Sequence, residues 1–177
     1  MRTRRLTLLL AAAALVGCGT APTNTAGVAP QTSAPPSEMD KTWLRTIHQG
    51  NMAEIQAGHL AEAKGTAKQV KTIGKMLVDD HTALDEKVTQ LAGRLGVDLP
   101  SSPTAAQKEL SNKLRSDTGS DFDQDFVAGM TKAHVAAIRI TKQEIDKGTS
   151  PEVVALAKEA DPQLKEHLEA LRKAHGG

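Results

Sequence analysis

The chain of 177 residues carries 22 Lys and Arg against 21 Asp and Glu, a formal charge of +1, and its aromatic residues are limited to Trp43, Phe122 and Phe126. So even a balance, with no basic stripe and almost no rings on which bases could stack, argues against nucleic acid as a partner. The lone cysteine, Cys18, excludes an intramolecular disulfide, even in an oxidising compartment.

Residues 1–17 have the layout of a secretory signal peptide: Arg2, Arg4 and Arg5 precede an unbroken apolar run from Leu8 to Val16. That run is too short for the roughly 20 apolar residues that span a bilayer. Leu15-Val16-Gly17-Cys18 resembles the lipobox of bacterial lipoproteins, in which the cysteine is acylated and becomes the new N-terminus. Lipidation at Cys18 is therefore expected, and two or more acyl chains give stable membrane attachment. Gly19 stands where an aspartate often retains lipoproteins in the inner membrane. In a Gram-negative host the expected location is thus the outer membrane, facing the periplasm. Cleavage removes three of the 22 basic residues and no acid, so the mature chain is slightly acidic. From Cys18 to Ser37 the chain is uncharged and rich in Ala, Pro, Thr and Ser, a composition that forms a tether and not a core.

Residues 38–177 suit one domain, dominated by good helix formers and without alternating β-branched runs, so the expected class is all-α. Ser37 is the N-cap expected for a first helix that ends near Lys64, before Gly65. A second helix is expected over about Thr66 to Leu95, with the stripe Val70, Ile73, Leu77, Leu84, Val88, Leu91 and Leu95, ending at Gly96. After a loop at Pro100, Pro103 suits the first turn of a short connecting helix reaching about Ser116. A third long helix spans about Asp121 to Lys147, stopped by Gly148, and Ser150-Pro151 opens the last. Two tight hairpins joined by a long connection that holds a short helix make a ferritin-like four-helix bundle with one long crossover.

Each long helix interrupts its apolar stripe with an ionisable residue. On the first, Glu54 completes the set Trp43, Ile47, Gly50, Ala57 and Ala61. The second contributes His81, with Asp80 beside it. His134 lies between Met130 and Ile138, and His167 between Leu164 and Leu171. Counted from the hairpin turns, each pair of these residues differs in height by about 7 Å at 1.5 Å per residue, a gap that side-chain reach and tilt can close. Buried together, they must satisfy one another, a trapped water or a metal, and three imidazoles with a carboxylate suit zinc, copper or iron. A di-iron oxidase would need Glu-x-x-His pairs, but Val78, Thr131 and Leu164 occupy the positions three before the histidines. No catalytic triad, phosphate loop or catalytic thiol is present, so no enzyme activity is expected. His48 and His59 read as surface residues on another face of the first helix.

Several segments are similar to a family of bacterial envelope proteins known as domain of unknown function 4142: Met52-Ala53-Glu54, Met76 through Asp80-His81, Phe122-Asp123 followed by His134, and Pro162 through His167-Leu168. The resemblance implies a ferritin-like fold in a predicted outer-membrane or envelope protein, and brings no established reaction. The functional expectation is an envelope-tethered bundle whose Glu54, His81, His134 and His167, with Asp80 as an additional donor, bind a transition metal. A metal-free structural or protein-interaction module is the alternative, and an oxidoreductase acting on oxygen species a third. The membrane, through the lipid at Cys18, is the expected attachment; no protein partner is indicated.

Overall fold

A computed structural model describes residues 35–175, so the signal peptide, the lipobox and most of the tether lie outside it, as does the side chain of His175. Five helices follow in order: α1 (Glu38–Lys64), α2 (Lys68–Leu95), α3 (Ala105–Ser116), α4 (Gly119–Lys147) and α5 (Pro151–His175). There is no strand among the described residues. None of these helices is long and apolar enough to cross a membrane.

Helix ends follow local chemistry. Ser37 and Asp40 form a capping box at the start of α1. The connecting helix departs from expectation: Thr104 caps it reciprocally with Gln107, so it begins after Pro103 and not at it. Gly96 closes α2 in the left-handed region, at φ 65°, where a side chain would be strained. The hairpin glycines Gly65 and Gly148 have ordinary negative φ. Glycine is needed there because a Cβ on Gly65 would lie 2.6 Å from the Ala61 carbonyl, and one on Gly148 2.6 Å from the Glu144 carbonyl.

Long-range bonds set the topology. Trp43, near the start of α1, donates its indole N–H to Thr141 near the end of α4 at 3.1 Å. Arg94, near the end of α2, reaches Glu152 at the start of α5. Helix α1 therefore runs antiparallel to α2 and α4, and α5 runs antiparallel to the same two. With α2 and α4 pointing the same way, their connection must travel the length of the bundle. It does so along α1, held where Gln49 bonds the Ser102 carbonyl at 2.9 Å and Lys64 the Leu114 carbonyl at 2.8 Å. This is the all-α bundle with one long crossover.

The two hairpins are built alike. Asp123, in the first turns of α4, accepts from the backbone N–H groups of Thr66 and Ala67 and from the Thr66 hydroxyl. Asp40, in the first turn of α1, accepts from the corresponding groups of Thr149 and Ser150. Each hairpin turn is thus pinned by an aspartate of the other hairpin. Asp40 precedes Gly65-Thr66 by the same interval as Asp123 precedes Gly148-Thr149, an internal repeat in the sequence.

Helices α1 and α2 meet at two glycines. A Cβ on Gly74 would stand 2.7 Å from that of Ala61 and 2.8 Å from the Gly58 carbonyl. Gly74→Ala should push the pair apart and cost about 1 to 3 kcal/mol of overpacking, more than the roughly 1 kcal/mol gained in helix propensity. Gly93→Ala, in the same helix with nothing near its Cβ, should raise the melting temperature. Thermal unfolding of the two variants tests this, and equal shifts would contradict the close approach.

The interior has two apolar clusters. One gathers Trp43, Leu44, Ile47, Leu84, Val88, Val153, Ala157 and Leu164. The other holds Ala57, Ala61, Ile73, Leu77, Leu114, Phe122, Phe126 and Met130. Along α1 and α2, Glu54 and His81 fall between the two, so a polar layer divides the core.

Candidate metal centre

Glu54, His81, His134 and His167 are all buried, and one ring nitrogen of each histidine lies within 4.8 Å of the others. Each comes from a different long helix, so the site exists only when all four have packed. Asp80, half-buried at its edge, places Oδ2 2.8 Å from His167 Nε2.

Hydrogen bonds around the ring decide which nitrogens face inward. The Met130 carbonyl can only accept, so His134 Nδ1, 2.9 Å away, carries the proton. The Asp80 carboxylate likewise takes the N–H of His167 Nε2. Asn51 donates its amide N–H to Asp85 at 3.1 Å, which turns its oxygen toward His81 Nδ1 at 2.9 Å to accept that proton. Such outer partners orient metal-bound imidazoles and fix their tautomers. What remains is three inward nitrogens, His81 Nε2, His134 Nε2 and His167 Nδ1, gathered around Glu54.

Neutral imidazoles held this way present only lone pairs to one another. His134 Nε2 and His167 Nδ1 stand 3.2 Å apart, and His134 Nε2 is 3.6 Å from Glu54 Oε2. Ligands at about 2.0 Å around one tetrahedral ion are separated by about 3.3 Å. The contact of His81 Nε2 with Glu54 Oε2, at 2.6 Å, is shorter and needs a proton between them when no ion is bound.

The electrostatics agree. Burial opposes the charge on Glu54, but His81 and then His134 outweigh it and hold the carboxyl down at about 2. Burial also opposes the His81 cation, and Glu54 overcomes it, so this histidine is raised. His134 is lowered, chiefly by burial. His167 is lowered to about 4, again by burial, with Asp80 pulling the other way. Without metal, the centre is one ion pair, Glu54 with His81, flanked by two neutral imidazoles.

All five residues expected from the sequence are in or beside this centre. Asn51 and Asp85 were not anticipated; Asn51 had a signal, since it lies one helical turn before Glu54 on the same face. His59 is exposed, as expected, but His48 is not a surface residue: it is half-buried and bonded to Asp85 at 2.8 Å. A second buried polar pair also escaped the sequence reading. Glu144 lies against Asp40 at the α4–α5 turn, and its burial with that neighbour pushes its pKa up to about 8.

Two solved structures share the fold. A DUF305 fragment from Deinococcus radiodurans aligns at TM-score 0.71 with 15% identity, over 81% of this chain and 99% of that one. CopM in its Cu(I)-bound form aligns at 0.64 with 14% identity, over 76% and 93%. No curated protein matches the chain. Residues 26–174 match the profile described as domain of unknown function (DUF4142), and the chain belongs to that family.

Proposed function

We propose that the domain binds a transition-metal ion through His81, His134, His167 and Glu54, and that lipid at Cys18 holds it to the bacterial cell envelope. The observation that carries the metal reading is the set of three outward N–H groups, each fixed by an acceptor, which leaves three inward ring nitrogens beside a carboxylate with a single proton, shared by His81 and Glu54, for an ion to displace. Imidazole suits copper, zinc and iron, and CopM, solved with Cu(I), makes copper the first ion to test. Purified protein dialysed against copper, zinc or iron should retain about one equivalent of the preferred ion. His81→Ala and His134→Ala should each lower affinity by about 10-fold or more, as loss of a ligand or its support does. No retention, or retention that both variants leave unchanged, would reject the metal.

The 2.6 Å contact between Glu54 and His81 supports a second reading, a metal-free module in which this ion pair sets helix register. The same dialysis separates the two. Membrane attachment is tested on its own: Cys18→Ser should release the protein from the membrane fraction, and labelled fatty acid should enter only the wild type. Equal retention of the variant would exclude the anchor.

A further inference from the structure

A cleft of about 460 Å³ opens between α1, α3 and α4 and reaches inward to Glu54 and His81. Its walls are mainly apolar, formed by residues such as Ile47, Gly50, Leu110, Ala133 and Ile140. It is about three times the volume of a roughly 150 Å³ apolar cavity that holds benzene.

Two features point to an occupant. A glycine in mid-helix costs about 0.5 to 1 kcal/mol relative to alanine, so it needs a reason to be there. Gly129 has one, because its Cβ would press on Leu110 at 2.8 Å; Gly50 has none, with nothing within 4 Å of where its Cβ would be. Gly50 therefore only widens the cleft. The second feature is Glu54, with 6% of its side chain exposed. A carboxylate offers about four acceptor sites, yet among the described residues only His81 and His134 approach Glu54, both at Oε2. Spare acceptor capacity thus sits at the floor of an apolar chamber. Deeper in, the buried hydroxyl of Ser111 also lacks a partner, beside a small adjoining void that Glu54 lines too.

We infer that this cleft is a binding site for a small, uncharged, largely apolar molecule with a single N–H or O–H donor that reaches the Glu54 carboxylate. The class follows from the walls, which favour an apolar body, and from the floor, which lacks a donor. An organic cation is disfavoured because the walls are apolar and the one charged side chain lining them besides Glu54 and His81 is the cationic Lys132.

Indole has this chemistry, and indene has nearly the same shape without the N–H. Calorimetric titration of the full chain in chelator-treated buffer should show one indole site with Kd below about 1 mM. Indene should bind about tenfold more weakly, as should indole to Glu54→Gln, the loss expected when a hydrogen bond to a charged group is removed. Gly50→Phe, which projects a ring into the open space, should abolish indole binding and leave the melting temperature within a few degrees of wild type. No saturable indole binding, binding that survives Gly50→Phe, or equal binding of indene would each overturn the inference. If Glu54→Gln fails to fold, the indole–indene comparison and Gly50→Phe still decide it. Copper retention is measured separately, so retention without indole binding overturns this site alone, and indole binding without retention overturns the metal alone.

Discussion

Glu144→Gln is expected to stabilise the protein by about 3 kcal/mol at pH 7 and to remove most of its loss of stability toward alkaline pH. The reason lies in the buried pair that Glu144 makes with Asp40. Burial also opposes the charge on Asp40, but donors from Ser37, Glu144, Ser150 and Thr149 outweigh it, so Asp40 remains ionised far below the usual carboxylate range. A second charge beside it is unfavourable, and Glu144 keeps its proton up to about pH 8 in the fold against 4.5 when exposed. Between those values the folded chain holds a proton that the unfolded chain has released, so stability falls as pH rises from 4.5 through about 8. Glutamine offers Asp40 an N–H without needing that proton. Denaturant unfolding at pH 5, 7 and 8.5 should show an advantage of the variant over wild type that grows with pH. Parallel profiles would mean that Glu144 is ionised in the folded protein.

At the metal-free centre the opposite slope is expected. His134 and His167 have lowered affinity for protons, so below 6.5 the unfolded chain binds protons that the folded one refuses. The contribution of this centre to stability should therefore fall on acidification from pH 6.5 toward about 4, with about 3 kcal/mol of the loss from His167 alone, against the opposite slope of Glu144. Glu54 and His81 do not cancel it. His81 is raised, so its contribution is already full below 6.5 and is lost only as pH rises through its folded value. Glu54 is lowered to about 2, so its contribution is full above 4.5 and fades only in stronger acid. Melting temperatures in chelator from pH 7.5 to 4.5, taken in the Glu144→Gln background so that the opposing slope of Glu144 is absent, should drop steeply, and less when His167→Gln is added. A rise on acidification would show that the neutral imidazoles are protonated in the fold, and a flat profile that they are solvated. Bound metal should steepen the drop, since protons then compete with the ion for the same nitrogens.

The helices, their order and the long crossover were legible in the sequence, because apolar spacing, caps and turn glycines are local properties that survive packing. The stripe of α2 from Val70 to Leu91 is buried as its periodicity required. The five candidate residues were legible for a related reason: an ionisable side chain on an apolar stripe has to be answered by something, and four helices each carried one. Their meeting was not readable, since it depends on helix tilt and on a height difference of about 7 Å that sequence counting leaves open. The repeated interval from aspartate to Gly-Thr was present in the sequence, but only the structure shows why it recurs, with each aspartate pinning the other hairpin's turn. Most dependent on tertiary structure is the chemistry of the centre. The Met130 carbonyl that orients His134 lies one turn back on its own helix, but the groups that orient His81 and His167, charge His81 and keep Glu144 protonated beside Asp40 are on other helices, brought together by packing that no local pattern encodes.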